Sequence, residues 1–145
     1  MKKFISWVLV LYICFVFIQS LFFKFAGSIE TVIIFETISN WMSGNFLSFL
    51  APFFKNYGGW AVGGAELLTS VLLLIPASRR IGAILALIIM SGAIFFHLAT
   101  PLGLDRIIDE AGNTDGGVLF FMACGVWVSS LILILLHRKP KSIYR

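Results

Sequence analysis

Four ionisable side chains stand out among those within or at the ends of the long apolar stretches of this 145-residue sequence. Ionisable groups are costly inside a lipid bilayer, so they tend to mark functional positions there. A carboxylate close to a lysine or a histidine could bind a polar head group or exchange a proton, or it could only fix how helices pack. The candidate ligand-binding residues are Glu66, Lys24, His97 and Asp115, with Gln19 as a further member of the cluster.

Glu66 is the candidate whose direction the sequence predicts best. Gly59, Gly63, Glu66 and Ser70 recur at helical spacing and therefore share one helix face. The pattern Gly59-x-x-x-Gly63 is typical of close helix packing in membranes. We therefore expect Glu66 to point into the protein, where it either pairs with a cation or carries a proton, because a lone buried carboxylate is costly.

Other site chemistries lack their characteristic residues. The sequence has no nucleophile–base motif, phosphate-binding loop or metal-ligand set. His97 is predicted at the outer end of helix three and His137 at the cytoplasmic edge of helix four, and two histidines at opposite membrane faces cannot hold one haem across the core. Cys14 and Cys124 each fall inside an apolar segment and are interpreted as small buried side chains. We expect no autonomous enzymatic activity and no metal site.

The composition defines the elements that must position these residues. Hydrophobic residues make up 59% of the chain and charged residues only 12%, whereas soluble domains are about a quarter charged. Four apolar segments approach the roughly 20 residues that cross a bilayer. The sequence therefore predicts an all-α fold, an integral membrane four-helix bundle in a single domain (1–145). The predicted helices cover about 4–26, 57–75, 81–99 and 116–137.

Two features of these segments need separate interpretation. The first could be a signal peptide, but its apolar stretch is too long and no small-residue cleavage site follows. The connection over about 28–55 is rich in large apolar residues, with Ser28 as a helix cap and Glu30 in the first turn. We predict a short interfacial helical segment there, interrupted at Pro52, which either faces lipid or covers a site.

Basic residues predict the orientation of the helices, because they concentrate in cytoplasmic loops. The acidic residues Asp105, Asp109, Glu110 and Asp115 instead lie between helices three and four. Both termini are thus expected in the cytoplasm, and in a bacterium the membrane would be the inner one. Nucleic-acid binding is not expected from the net charge of +4. The basic residues at predicted cytoplasmic ends are Lys2, Lys3, Arg79, Arg80, Arg138, Lys139, Lys141 and Arg145.

Three short stretches resemble the DoxX-like superfamily of four-helix membrane proteins: residues 21–27, residues 63–68 and residues 79–83. The resemblance implies a role in membrane redox chemistry, as a small subunit linked to quinone-dependent oxidases or to complexes that handle oxidative stress. It also implies a quinone as the possible cofactor and a membrane or periplasmic redox protein as partner. The basic residue that follows helix one in this family would be Lys24, and the acid of helix two would be Glu66.

The sequence is compatible with three functions. The first is an accessory or redox-linked subunit whose outward-facing polar pocket binds a quinone or lipid head group. The second is a scaffold subunit without a ligand, which predicts a tightly packed interior. The third is a small proton-coupled transporter, which needs a polar path through the whole bilayer.

Overall fold

The computed structural model describes residues 1–137 and is all-helical over that range. It contains five α-helices: α1 (Lys2–Phe25), α2 (Ile29–Ser43), α3 (Ala51–Leu74), α4 (Arg79–Ala99) and α5 (Val118–Leu136). A short 3-10 helix, Ser48–Leu50, leads into α3. The predicted basic tail at 138–145 lies outside the described residues.

Four of these helices are long and apolar enough to cross a membrane, as the sequence predicts. They are α1, α4, α5 and the continuous helical stretch Ser48–Leu74 that contains α3. Many large apolar side chains on their surfaces are exposed, among them Phe4, Phe22 and Leu98. A surface of this kind is suited to lipid rather than to water.

The four long helices contact one another in a closed ring. Helix α1 contacts α3 and α5, and α4 contacts the same two helices from the other side. The core between them is apolar, with Val10, Ile13, Phe17, Leu73 and Val126 almost fully buried. Helix α2 stands outside the ring and packs mainly on α3. All five helices therefore converge at the end of the ring where α1 and α4 finish, called the Lys24 end below.

The starts of the helices differ from the predicted bounds where local signals were misleading. Helix α3 begins at Ala51 rather than near 57, and Pro52 lies in its first turn. Proline is tolerated there because the first-turn N–H groups have no partner within the helix, so Pro52 begins a helix instead of interrupting one. The cap of α2 is confirmed, because the Ser28 hydroxyl accepts from the Thr31 N–H at 3.2 Å.

Arg79 closes the opposite end of the ring. Its side chain is buried, although the sequence indicated only a cytoplasmic turn. The guanidinium Nε donates to the Leu73 carbonyl at 3.0 Å, and Nη1 donates to the Ser6 hydroxyl at 3.2 Å. The group also lies 4.2 Å from the centroid of the Trp7 ring, a favourable cation–π contact. Arg79 thus joins α1, α3 and α4 at the end far from Lys24.

Gly82 lies at a tight backbone contact between α4 and the end of α3. A Cβ atom at this position would lie 2.9 Å from the backbone nitrogen of Leu73.

Gly82→Ala should therefore force the two backbones apart and lower the free energy of unfolding by about 1–3 kcal/mol. Reversible unfolding in mixed detergent micelles measures this change. Gly64→Ala is the matched control, because a Cβ at Gly64 would meet nothing within 4 Å. An equal effect at both positions would contradict the expected steric cause.

Candidate functional site

Lys24 and Glu66 form an ion pair between α1 and α3. Lys24 Nζ lies 2.7 Å from Glu66 Oε2 and 2.9 Å from Oε1. The Ser20 hydroxyl accepts from Lys24 Nζ at 2.9 Å and donates to Glu66 Oε2 at 2.9 Å. The Glu66 side chain is only 4% exposed and that of Lys24 is 16% exposed. The buried carboxylate is therefore compensated by a cation and a hydroxyl.

The local sequence explains why these groups meet. Ser20 and Lys24 are four residues apart on α1 and so lie on the same face, one turn above the other. Gly63, one turn before Glu66, lets α1 approach, since a Cβ there would lie 2.7 Å from the Phe25 ring and 3.3 Å from Leu21. The predicted Gly59-x-x-x-Gly63 packing face is thus used by α1 and α2, with Gly59 beside Thr31.

Arg106 forms a second charged cluster, which links the loop between α4 and α5 to α2. Its Nη2 donates to Glu30, and its Nε lies 3.1 Å from Asp115 Oδ2. The side chain is only 5% exposed. Nε is at ion-pair distance from Asp115 but lacks hydrogen-bond geometry, and Nη1 is also buried without a hydrogen-bond partner within residues 1–137. A buried guanidinium N–H without an acceptor is costly, so an acceptor supplied by a bound molecule would stabilise it.

Backbone and side-chain hydrogen bonds order the loop that carries Arg106. Residues Ile107 and Thr114 form an isolated antiparallel bridge, and the Asp115 N–H donates to the Arg106 carbonyl at 3.2 Å. Asp115 also accepts from the Gly117 and Leu119 N–H groups at 2.9 and 3.2 Å. These bonds hold the turn that leads into α5. One carboxylate therefore fixes both α5 and Arg106.

Asp109 holds the turn at the tip of this loop. Its carboxylate accepts from the Asn113 side chain at 2.6 Å and from the Asn113 N–H at 3.0 Å, and these bonds lower the pKa of Asp109 from its ordinary value of 3.8. Because the Asp109 pKa is lower in the folded chain than in the unfolded chain, the carboxylate stabilises the turn at a pH above its ordinary pKa. This stability is lost as the pH falls through the folded pKa.

We expect Asn113→Ala to raise the Asp109 pKa, measured by NMR titration of the carboxyl carbon in micelles. An unchanged midpoint would show that Asn113 does not set the pKa.

His97 is buried near the end of α4, with a defined orientation. Its Nδ1 lies 2.6 Å from the Gly103 carbonyl oxygen, and its ring packs edge-on against Phe120. A carbonyl oxygen can only accept, so Nδ1 carries the proton of this hydrogen bond. In the neutral ring, Nε2 is then a hydrogen-bond acceptor.

A single cavity of about 570 Å³ brings all five candidates together. Lys24, Glu66, His97, Asp115 and Gln19 all line it, but they do not form one contact cluster. Lys24 pairs with Glu66, whereas Asp115 pairs with Arg106 and His97 bonds to a backbone carbonyl. The remaining walls are mostly apolar. They include Phe17, Ile34, Phe54, Ile89, Met90, Phe96, Leu119 and Met122.

Sequence reasoning missed three members of the site: Ser20, Glu30 and Arg106. The spacing of Ser20 and Lys24 on one helix face was a usable signal. Arg106 carried another, because it is the only lysine or arginine between 81 and 137. Glu30 gave no sequence signal of a site role beyond its place in the first turn of α2, because its partner Arg106 lies 76 residues away.

Cys14 and Cys124 are free thiols. Within residues 1–137, no group of three or more histidine, cysteine, aspartate or glutamate side chains could hold a metal ion.

Comparison of the chain with protein-family models, with curated proteins and with solved structures finds no match.

Proposed function

We propose that this chain is an integral membrane protein that binds an amphiphilic molecule in the cavity at the Lys24 end. The molecule is a quinone or a lipid, with its head group at the polar end and its apolar part along the apolar walls. The observation that carries the proposal is the combination, in one cavity, of apolar walls with buried charged groups from α1, α2, α3 and the loop before α5.

The size and lining of the cavity support a ligand site. Ligand pockets in proteins usually measure about 300–1,000 Å³ and combine mainly apolar walls with a few fixed polar groups. A volume near 570 Å³ lies within that range. A scaffold subunit without a ligand would be expected to close such a space, because interiors normally pack tightly.

The hydroxyl groups deeper in the ring do not favour a transporter. Thr69, Ser70 and Ser130 are buried, but each donates to a backbone carbonyl four residues earlier in its own helix. Hydroxyl groups used in this way do not link Glu66 to the Arg79 end. The buried ion pairs of the described residues lie at the Lys24 end, as a head-group site there requires.

The cellular setting is also part of the proposal. The distribution of basic residues favours cytoplasmic termini, with the Lys24 end outside and α2 in the outer interface. In a bacterium this corresponds to the inner membrane. The resemblance to the DoxX-like superfamily adds an accessory role beside a membrane or periplasmic redox protein.

A pair of glycine substitutions tests ligand binding in the cavity. Gly92 lines the cavity and Gly64 does not, and a Cβ at either position would meet nothing within 4 Å. Decylubiquinone and dioleoylglycerol serve as probes in thermal unfolding of the detergent-solubilised protein. We expect at least one probe to stabilise the wild type and Gly64→Trp but not Gly92→Trp. Equal stabilisation of all three, or of none, would contradict binding in the cavity.

A further inference from the structure

The charges that line the cavity restrict the head group it can take. Three carboxylates, Glu30, Glu66 and Asp115, face two cations, Lys24 and Arg106. Lys24 is engaged by Glu66, and Arg106 lies between the other two carboxylates. An anionic head group would therefore add a fourth negative charge to a site whose cations are already paired. Burying an uncompensated charge is far more costly than burying a neutral hydrogen-bonding group.

The hydrogen-bonding groups that remain restrict the head group further. Arg106 Nη1 is a buried donor without a partner within residues 1–137. His97 Nε2 is an acceptor in the neutral ring, because Nδ1 donates to Gly103. Both residues line the same cavity and come from the same end of the ring. A complementary ligand must accept one hydrogen bond and donate another.

We propose that the cavity selects an uncharged head group that accepts a hydrogen bond from Arg106 Nη1 and donates a hydroxyl hydrogen to His97 Nε2. This inference rests on the proposed function and names the class of its ligand. Two membrane components share this chemistry: a quinol, the reduced form of a quinone, and a neutral glycerolipid with a free hydroxyl. A quinone has acceptors but no donor, and a phosphate head group carries the disfavoured charge.

Binding of four probes to the full chain in detergent under argon tests this selection. The probes are decylubiquinol, decylubiquinone, dioleoylglycerol and dioleoylphosphatidic acid. We expect decylubiquinol or dioleoylglycerol to bind, and the one that does identifies the source of the head group. Decylubiquinone should bind about tenfold more weakly than its quinol, because His97 Nε2 would be left without a donor. Phosphatidic acid should bind at least about tenfold more weakly than dioleoylglycerol, because its charge is not compensated.

Two variants of His97 connect the preference to the residue. His97→Phe keeps an aromatic ring beside Phe120 but removes the acceptor, so the preference for quinol over quinone, or the binding of dioleoylglycerol, should be lost. His97→Gln supplies an amide oxygen as a hydrogen-bond acceptor in place of Nε2, and it should recover part of the lost preference or binding. Unliganded thermal unfolding of each variant establishes that it is folded.

The outcomes separate this inference from the function on which it rests. Tightest binding by phosphatidic acid, abolished in Gly92→Trp, would overturn the neutral head group while the cavity remained a ligand site. Equal binding of quinol and quinone, unchanged in His97→Phe, would overturn the role of His97. If none of the four probes bound, the proposed function and this inference would both fail.

Discussion

Lys24→Met should destabilise the protein more than Glu66→Gln, although the two residues form one ion pair. We expect Lys24→Met to lower the free energy of unfolding by about 3 kcal/mol, since loss of one partner leaves a buried charge uncompensated. Glu66→Gln should cost about 1–2 kcal/mol. The difference follows from exposure: the Glu66 side chain left behind is 4% exposed, whereas the Lys24 side chain is 16% exposed and can reach water more readily.

Reversible unfolding in mixed detergent micelles measures both variants under one set of conditions. The double variant Lys24→Met with Glu66→Leu is the control, because it removes both charges. Replacing a whole buried ion pair by apolar groups is often close to neutral, so this variant should recover most of the stability. A double variant no more stable than Lys24→Met alone would contradict a direct ion pair.

Arg106→Met should have an effect of similar or larger size, about 3–5 kcal/mol. The substitution leaves the Glu30 and Asp115 carboxylates beside each other without their shared cation. It also removes the contact between the loop before α5 and the first turn of α2. Adding Glu30→Gln to Arg106→Met removes one of the two repelling charges and should restore part of the loss.

An exposed ion pair provides the matched control for Arg106. Lys55 lies 2.9 Å from Glu36, and the two side chains are 54% and 46% exposed. Exposed pairs contribute little, so Lys55→Met should change the free energy of unfolding by less than about 1 kcal/mol. Similar losses for Lys55→Met and Arg106→Met would show that burial of the Arg106 cluster does not determine its contribution.

The features that the sequence predicted well depend on local patterns. Each long helix is encoded by a continuous apolar run, and α2 by the Ser28 cap and its helical spacing. The position of Glu66 followed from its face on α3 and its neighbouring glycines. Pro52 misled the placement of α3 because proline both interrupts and begins helices, and only the structure shows which applies.

The parts of the site that the sequence missed depend on distant contacts. Arg106 and Glu30 meet only because the loop between α4 and α5 folds back over α2. That loop has no hydrophobic period to indicate its path, and its course is fixed by hydrogen bonds of Asp105, Asp109 and Asp115. The tautomer of His97 could likewise be assigned only from the position of the Gly103 carbonyl.

Photochemical cross-linking under argon with photoactivatable analogues of decylubiquinol and dioleoylglycerol is the measurement that most directly tests the head-group site at the Lys24 end. After illumination in detergent, labelled peptides are identified by mass spectrometry in the wild type and in Gly92→Trp. We expect the label on segments that line the cavity, around Ile34, Phe96 and Leu119, and its loss in Gly92→Trp. Label confined to exposed side chains outside the cavity, such as Leu68 and Val71, and unchanged in Gly92→Trp, would contradict the site.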